Sequence, residues 1–495
     1  MPERPYTRDQ AWLLPPSLDE LIPADHVVRF IASFVESLDL SALKLTPVQA
    51  MGAPAYPAEV LLAAWIYGFM LRVRSSRKIE VAAREHLPLL WLLGGHRPDH
   101  ATLARFVRAN RGAMKALFRQ TVKTAVRVGL VDFALQAVDG TKVSTLSRDK
   151  ILSGRDLEAL GQKTDEAIAR LEQGIAAEEA SGEGGQAPRL PKELTDARRL
   201  REQVQAARRE VEKREAERTA AHEGAVDAQT GEPRGPQVHL ADPQAVLVKG
   251  RHGFVVGYNA QAVVDSKAQI MVGAEVVASA TDTASLLPML QEAEESSGRR
   301  AEVSVADAGY HSAQNVAAVE GTERAVYMAD PALRRTGRSP EDWAYHKDHF
   351  TYDAATDTYI CPQGRMLRYA FSMKQKGHAQ ATKRVYECHA CAGCPARAVC
   401  TRDQSGRRIH IGPHDEELKR HRAELRSAAV KELLKRRSSI VEPVFAMLRE
   451  HQGLIRFLRR GLDNVRAEWH LLTAAYNLLK VWRLHWRLVI RTASA

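Results

Sequence analysis

Ala134-Leu-Gln-Ala-Val-Asp139 is a short apolar run of β type that delivers an aspartate into Gly140-Thr-Lys142, where a turn is expected. A second such run, Ala301–Ala306, ends in Asp307-Ala-Gly-Tyr310. Between the two, Phe254–Val264 and Ile270–Val277 read as paired strands joined by Asp265-Ser-Lys-Ala268, and a helix is predicted from Thr283 to about Glu295. Beyond Asp307, the patterns predict a helix near Ala313–Val319, a strand near Ala325–Met328, and helices from about Asp415 almost to the end.

Strand, hairpin, helix, strand, helix, strand, helix is the element order of a ribonuclease-H-like domain, an α/β fold on a mixed sheet. In that fold the strands ending at Asp139 and Asp307 are neighbours, and the late helix carrying Glu442 packs across them. Three carboxylates far apart in the chain then converge at one end of the sheet. The core is expected from residues 131–155, 236–335 and 401–450. An all-α N-terminal domain is expected over 1–130, where Val60–Met70, Ile79–Glu85, a helix capped after Pro98-Asp99, and Gly112–Val128 have helical patterns. Arg72, Arg74, Arg77, Arg105, Arg108 and Arg111 among these helices suit a helix-turn-helix reader of DNA, and equally any small helical domain. Residues 156–235 read as a helical hairpin insertion, with Leu157, Leu160, Ile168, Leu171 and Ile175 on one face and Leu190, Leu194, Val204 and Val211 on the other. Gly182-Glu-Gly-Gly185 separates the two helices. A Cys-rich insertion spans 336–400, and basic helices fill 451–495.

The chain has 495 residues, 45% hydrophobic and 26% charged, a balance that fits globular units rather than a membrane protein. Its longest apolar runs, Val60–Leu71 and Leu471–Leu479, fall short of a bilayer span, and Met1–Asp9 lacks the apolar segment of a signal peptide. A cytoplasmic, nucleoid-associated protein with no membrane partner is expected. Of the net charge of +11, a surplus of ten lies beyond Thr401, where twenty Lys and Arg face ten Asp and Glu. That concentration suits a polyanion, most simply the phosphates of double-stranded DNA. No Gly-x4-Gly-Lys-Ser/Thr motif is present, so ATP-driven translocation has no support.

Phosphodiester chemistry explains why three acids would meet. The nucleophile must be activated while the leaving oxygen is neutralised, and two Mg²⁺ or Mn²⁺ ions roughly 4 Å apart do both. Mg²⁺ takes carboxylate and water oxygens, so Asp139, Asp307 and Glu442 suffice once DNA phosphate completes the shells.

The words around the acids are Val138-Asp-Gly-Thr-Lys142, Val305-Ala-Asp-Ala-Gly-Tyr-His311 and Arg436-Arg-Ser-Ser-Ile-Val-Glu442-Pro-Val-Phe445. With Gly257-Tyr-Asn-Ala-Gln261, Ala280-Thr-Asp282 and Arg456-Phe-Leu-Arg-Arg-Gly-Leu462, they resemble blocks of bacterial insertion-sequence transposases of the DDE type, in the group with a late Tyr–Arg–Glu–Lys signature. Leu13–Leu43 and Tyr56–Leu117 resemble the N-terminal domain of that family. The resemblance implies metal-dependent cleavage and strand transfer at terminal inverted repeats, and a homodimer or higher synaptic assembly. It matches Asp139, Asp307 and Glu442 to the catalytic acids, and Arg437 to the signature arginine, though a stricter spacing falls on Ser438. Leu434 stands at the tyrosine position. Arg449 replaces the lysine and keeps its charge on the helical side of Glu442, about two turns on. The resemblance assigns no role to Asp282. Arg437, Arg449, Arg456, Arg459, Arg460 and Arg466 are the expected DNA contacts. A catalytically silent DNA-binding descendant and a metal-dependent nuclease are the alternatives; an intact acidic triad favours the enzyme.

All five cysteines fall between 361 and 400: Cys361, Cys388, Cys391, Cys394 and Cys400. Two-residue spacings let thiolates share a tetrahedral zinc, and a cytoplasmic protein rarely holds such groups as disulfides. Cys361, Cys391, Cys394 and Cys400 are the expected structural zinc ligands, with Cys388 as the alternative.

Overall fold

The computed structural model describes residues 17–41, 43–44, 55–180, 192–220, 235–250, 253–322, 324–335, 343–375, 378–487 and 489–490. Gly182–Gly185, Leu190 and Met1–Asp9, each read above, lie outside the described residues. No described helix is long and apolar enough to cross a membrane.

The N-terminal unit is all helix: α1 (Val27–Glu36), α2 (Ala58–Met70), α3 (Ser76–Glu85), α4 (Leu87–Leu92), α5 (His100–Ala109) and α6 (Ala113–Arg127). Asp99 caps α5, its carboxylate accepting from the Ala101 and Thr102 N–H groups at 2.8 and 2.9 Å. Helix α2 is apolar on every side and buried from Leu61 to Phe69, as a central helix must be.

Strand β1 (Leu135–Leu146) follows, then a short β2 (Ile151–Ser153) and the helical hairpin α7 (Gly154–Ala180) and α8 (Lys192–Ala220). Strand β3 (Gln237–His239) pairs with β2 and closes the root of the hairpin. Leu157, Val204, Val211 and Val238 pack between the two helices and this root. The main sheet resumes with β4 (Val246–Gly250), β5 (Gly253–Asp265) and β6 (Met271–Val277), then α9 (Leu286–Ser297), β7 (Val303–Ala306), α10 (Ala313–Glu320) and β8 (Ala325–Met328). Its order is β4-β5-β1-β7-β8, with β6 also on β5. β5 runs antiparallel to β1, whereas β7 and β8 run parallel to it. This is the ribonuclease-H-like core that the element order predicts.

The turn expected after Asp139 is absent. Gly140, Thr141 and Lys142 stay in register opposite Gln261, Ala260 and Asn259, so Asp139 lies inside a long strand. What ends near Asp139 is the parallel pairing: β7 leaves β1 after Ala306, opposite Val138. The next residue on each strand is one of the two aspartates.

After the short α11 (Pro331–Arg335), the Cys-rich insertion forms an antiparallel meander: β9 (Thr351–Asp353), β10 (Thr358–Ile360), β11 (Met366–Gln375), β12 (His378–Cys388) and, beyond α12 (Arg397–Cys400), β13 (Arg407–Ile411). The chain then returns through α13 (Asp415–Leu425) to α14 (Ala428–Glu450), which lies against β1 and β7. Pro443 sits inside α14 and cannot donate to the Ser439 carbonyl. The Gln269 side-chain amide supplies the missing bond at 3.1 Å, so the helix continues. Last, α15 (Leu462–Val481) is buried along most of its length among α2, α6 and β6, fixing the N-terminal helices to the sheet.

Candidate active site

The end of the β1–β7 pairing builds the site. The Asp139 carboxylate accepts from Arg437 of α14 at 2.7 Å and from the Gly140 N–H at 2.8 Å. Burial pushes the Asp139 carboxyl up from the ordinary aspartate range; Arg437 and the Gly140 N–H pull it back, and the charge of Asp307 adds to the rise. Asp307 accepts from the Gly309 N–H at 2.9 Å, a local turn bond that holds it where β7 leaves the sheet.

Asp282, left without a role by the sequence, belongs to the same neighbourhood. Its Oδ1 accepts from Lys142 at 2.7 Å, Asn259 at 2.7 Å and Gln261 at 2.8 Å. The Tyr310 hydroxyl donates to Gln261 Oε1 in turn. Burial, and the charges of Asp282, Asp139 and Asp307 around it, push the Tyr310 phenol well above its usual range. Two glycines make room for this cluster. A Cβ on Gly140 would lie 2.9 Å from Asp282 Oδ1, and one on Gly309 would lie 3.0 Å from Asp307 Oδ1 and 3.2 Å from Asp282 Oδ2. The signal available in the sequence was the pair of blocks Gly257–Gln261 and Ala280–Asp282, whose polar residues the sheet register brings together.

Glu442 is exposed on α14. Arg449, seven residues on and so on nearly the same side of the helix, donates to Thr141 Oγ1 at 2.6 Å, two residues along β1 from Asp139. Leu434, at the position of the signature tyrosine, packs half-buried against the main core. Among the described residues, no three His, Cys, Asp or Glu side chains are drawn close enough to hold an ion as they stand. The donor chemistry at Asp139 and Asp307 nevertheless suits a hard divalent cation: two half-buried carboxylates adjoin, and Arg437 offsets only part of their charge.

Farther along β1, Phe457 donates its N–H to the Ser144 carbonyl at 2.9 Å, so the loop after α14 occupies the edge that β7 vacates. Of the arginines beyond α14, Arg456 and Arg460 are exposed. Arg459 is withdrawn: its guanidinium lies 5.0 Å from the centre of the Trp65 ring, and burial lowers its pKa. Arg466 is spent on Glu275 at 3.0 Å and on the Val276 carbonyl at 3.1 Å.

In the insertion, all five cysteines line one small cavity and none is in a disulfide. Cys361 and Cys391 sulfurs accept backbone N–H bonds from Arg365 at 3.3 Å and Arg407 at 3.4 Å. Burial pushes the Cys388 thiol up to about 11 and raises Cys400 as well. Cys400 feels the charges of Cys361, Cys391 and Cys394.

A family model described as a transposase DDE domain matches residues 360–482, and one described as a transposase domain (DUF772) matches residues 16–109. No curated protein matches the chain. One family match covers most of the helical N-terminal unit and the other the helix that carries Glu442, and the two transposase domains together indicate an insertion-sequence transposase of the DDE type.

Proposed function

We propose that this DNA transposase cuts and joins DNA at the terminal inverted repeats of its element by two-metal phosphoryl transfer, with Asp139, Asp307 and Glu442 as the acids. The observation that carries this reading is the adjacency of Asp139 and Asp307 where β7 leaves β1. The two aspartates would hold Mg²⁺ or Mn²⁺, and Glu442 would complete the set from α14, on the side where Arg449 reaches β1. Bound divalent ions supply activation of the attacking hydroxyl and neutralisation of the leaving oxygen. Arg437 holds the Asp139 carboxylate in place and shares its charge, leaving further guanidinium donors for a DNA phosphate. Asp282 holds Lys142 of the same strand, and Tyr310 reaches Asp282 through Gln261, so the strand that carries Asp139 is tied to its neighbours by this polar cluster. Two copies of the chain would each bring one end of the element into a synaptic assembly.

The test is cleavage of an end-bearing duplex. Replacing Asp139, Asp307 or Glu442 by Ala should each lower the rate on the order of a thousandfold, and double replacements should add little, because the acids act as a unit. End binding should persist, since it comes from basic contacts. An Asp307→Ala protein that cuts at the normal rate would overturn the reading.

The same proposal gives the Cys-rich insertion a structural zinc, held by Cys361, Cys391, Cys394 and Cys400. What supports the assignment is the one small cavity that these thiols share, where a cation would take the place of the thiol protons.

A further inference from the structure

The loop between α14 and α15 presents an apolar tip on a basic base. Ile455 is 75% exposed and Leu458 47%, while Leu454 and Phe457 beside them are buried. The exposure does not come from looseness. Arg74, itself buried, donates to the Gly453 carbonyl and, at 2.8 Å, to the Arg456 carbonyl. Glu468 accepts from the Leu458 N–H at 3.0 Å and the Arg459 N–H at 3.0 Å, and pairs with Arg74 at 2.5 Å. Both ends of the loop are therefore held by one buried ion pair, and Ile455 is kept in water by the fold.

Beside the tip lies a cleft of about 630 Å³, open between the loop and the start of α3, lined by Arg72, Lys78, Arg456 and Arg459. A protein partner would call for an interface core with aromatic side chains and few charges. Here two aliphatic side chains stand beside three exposed cations, Arg72, Lys78 and Arg456, the pattern of proteins that grip phosphates and push an aliphatic wedge between base pairs. Position along the sheet gives a distance. Ser144, where the loop docks, is five residues beyond Asp139 on one strand. At about 3.3 Å per residue that is roughly 17 Å, or about five base-pair steps of duplex.

We infer that Gly453–Gly461 is a DNA wedge: Ile455 enters the base stack about five base pairs from the phosphate that is cut, while Arg72, Lys78 and Arg456 hold the backbone in the cleft. This rests on Asp139 and Asp307 being the cutting site. The probe is an end duplex carrying 2-aminopurine at single positions three to eight base pairs from the cut, bound to the full-length protein in Ca²⁺ to hold back chemistry. Fluorescence should rise severalfold in a window of one or two positions near the fifth. Ile455→Ala should abolish the rise and Ile455→Leu should keep it. In Mg²⁺, Ile455→Ala should cut paired DNA at least about tenfold more slowly and recover most of the rate on a duplex mismatched at that step. No rise at any position, or a rise that survives Ile455→Ala, overturns the inference. So does a shift of Ile455→Ala to a smaller assembly with the fluorescence response intact, which would give the tip to a second copy of the chain. If the wild-type protein cuts neither substrate, the cutting-site reading fails first and the wedge falls with it.

Discussion

Arg437 gives Asp139 a counter-ion, and under the metal-site proposal the consequence can be read in pH. Burial raises the Asp139 pKa above the ordinary value near 4, and only the deprotonated carboxylate binds a cation. Affinity for Mn²⁺ is therefore expected to weaken as pH falls through that raised pKa, earlier than for an exposed aspartate. Arg437→Ala removes the strongest opposing charge, so the midpoint of this loss should move to higher pH, while affinity well above the midpoint should rise. Mn²⁺ titrations across pH measure both; an unmoved midpoint would show that Arg437 does not govern the carboxylate. The sign for stability is consistent with this. With a folded pKa above the unfolded one, the metal-free fold binds the extra proton, and the Asp139 contribution to stability declines as pH rises through that window. Asp139 and Asp307 were legible as residues because each follows an apolar run of β type. Asp282 was not, since its partners Lys142, Asn259 and Gln261 gather only through the β1–β5 register, which a linear reading does not contain.

Among the elements, the helices were legible from apolar spacing and caps, as with Asp99 ahead of α5. The strands of the Cys-rich insertion were not. Tyr369, Phe371 and Met373 of β11 are all exposed, so the strand has no alternation between a buried and a solvated face to betray it. Its core is small, built on Phe350, Tyr359, Leu367, Tyr386 and Ile409 together with the thiols, and so few apolar groups leave much for a metal to hold. Purified protein is expected to carry about one zinc per chain. The insertion is joined to the rest by Arg422, which meets Asp348 at 2.5 and 2.6 Å and Asp330 at 3.4 Å. Burial alone would raise the Asp348 carboxyl, but His346 and Arg422 outweigh it and hold the group far below the usual range. Chelation should therefore raise hydrogen exchange within residues 351–411 while the main sheet, beyond the Arg422 clamp, stays protected. Zinc-free protein with unchanged exchange would remove the metal from the account.

On the scale of the molecule, the surplus of positive charge beyond Thr401 does not act as one patch. Arg456 and Arg460 face water, whereas Arg459 lies on Trp65 and Arg466 serves Glu275. Replacing Arg456 or Arg460 by Ala should lower the log–log salt slope of DNA binding by roughly one unit each. Replacing Arg466 should leave the slope nearly unchanged and show itself in stability instead. Equal slopes for all these variants would return the exposed pair to the fold surface. The helical hairpin bears on how the chain finds this arrangement. β1 and β5 are neighbours in the sheet, yet residues 147–252 lie between them, and an open loop of that length slows the pairing of its ends. At the root, Ile151, Leu152 and Ser153 pair with His239, Val238 and Gln237, and α7 packs along α8. Once that unit has zipped, the chain still to be closed is only 147–150 on one side and 240–252 on the other. In kinetic terms the insertion turns a distant pairing into a nearby one, so the strand bearing Asp139 can meet its partner soon after residue 265 leaves the ribosome, before α14 and its Glu442 have been made.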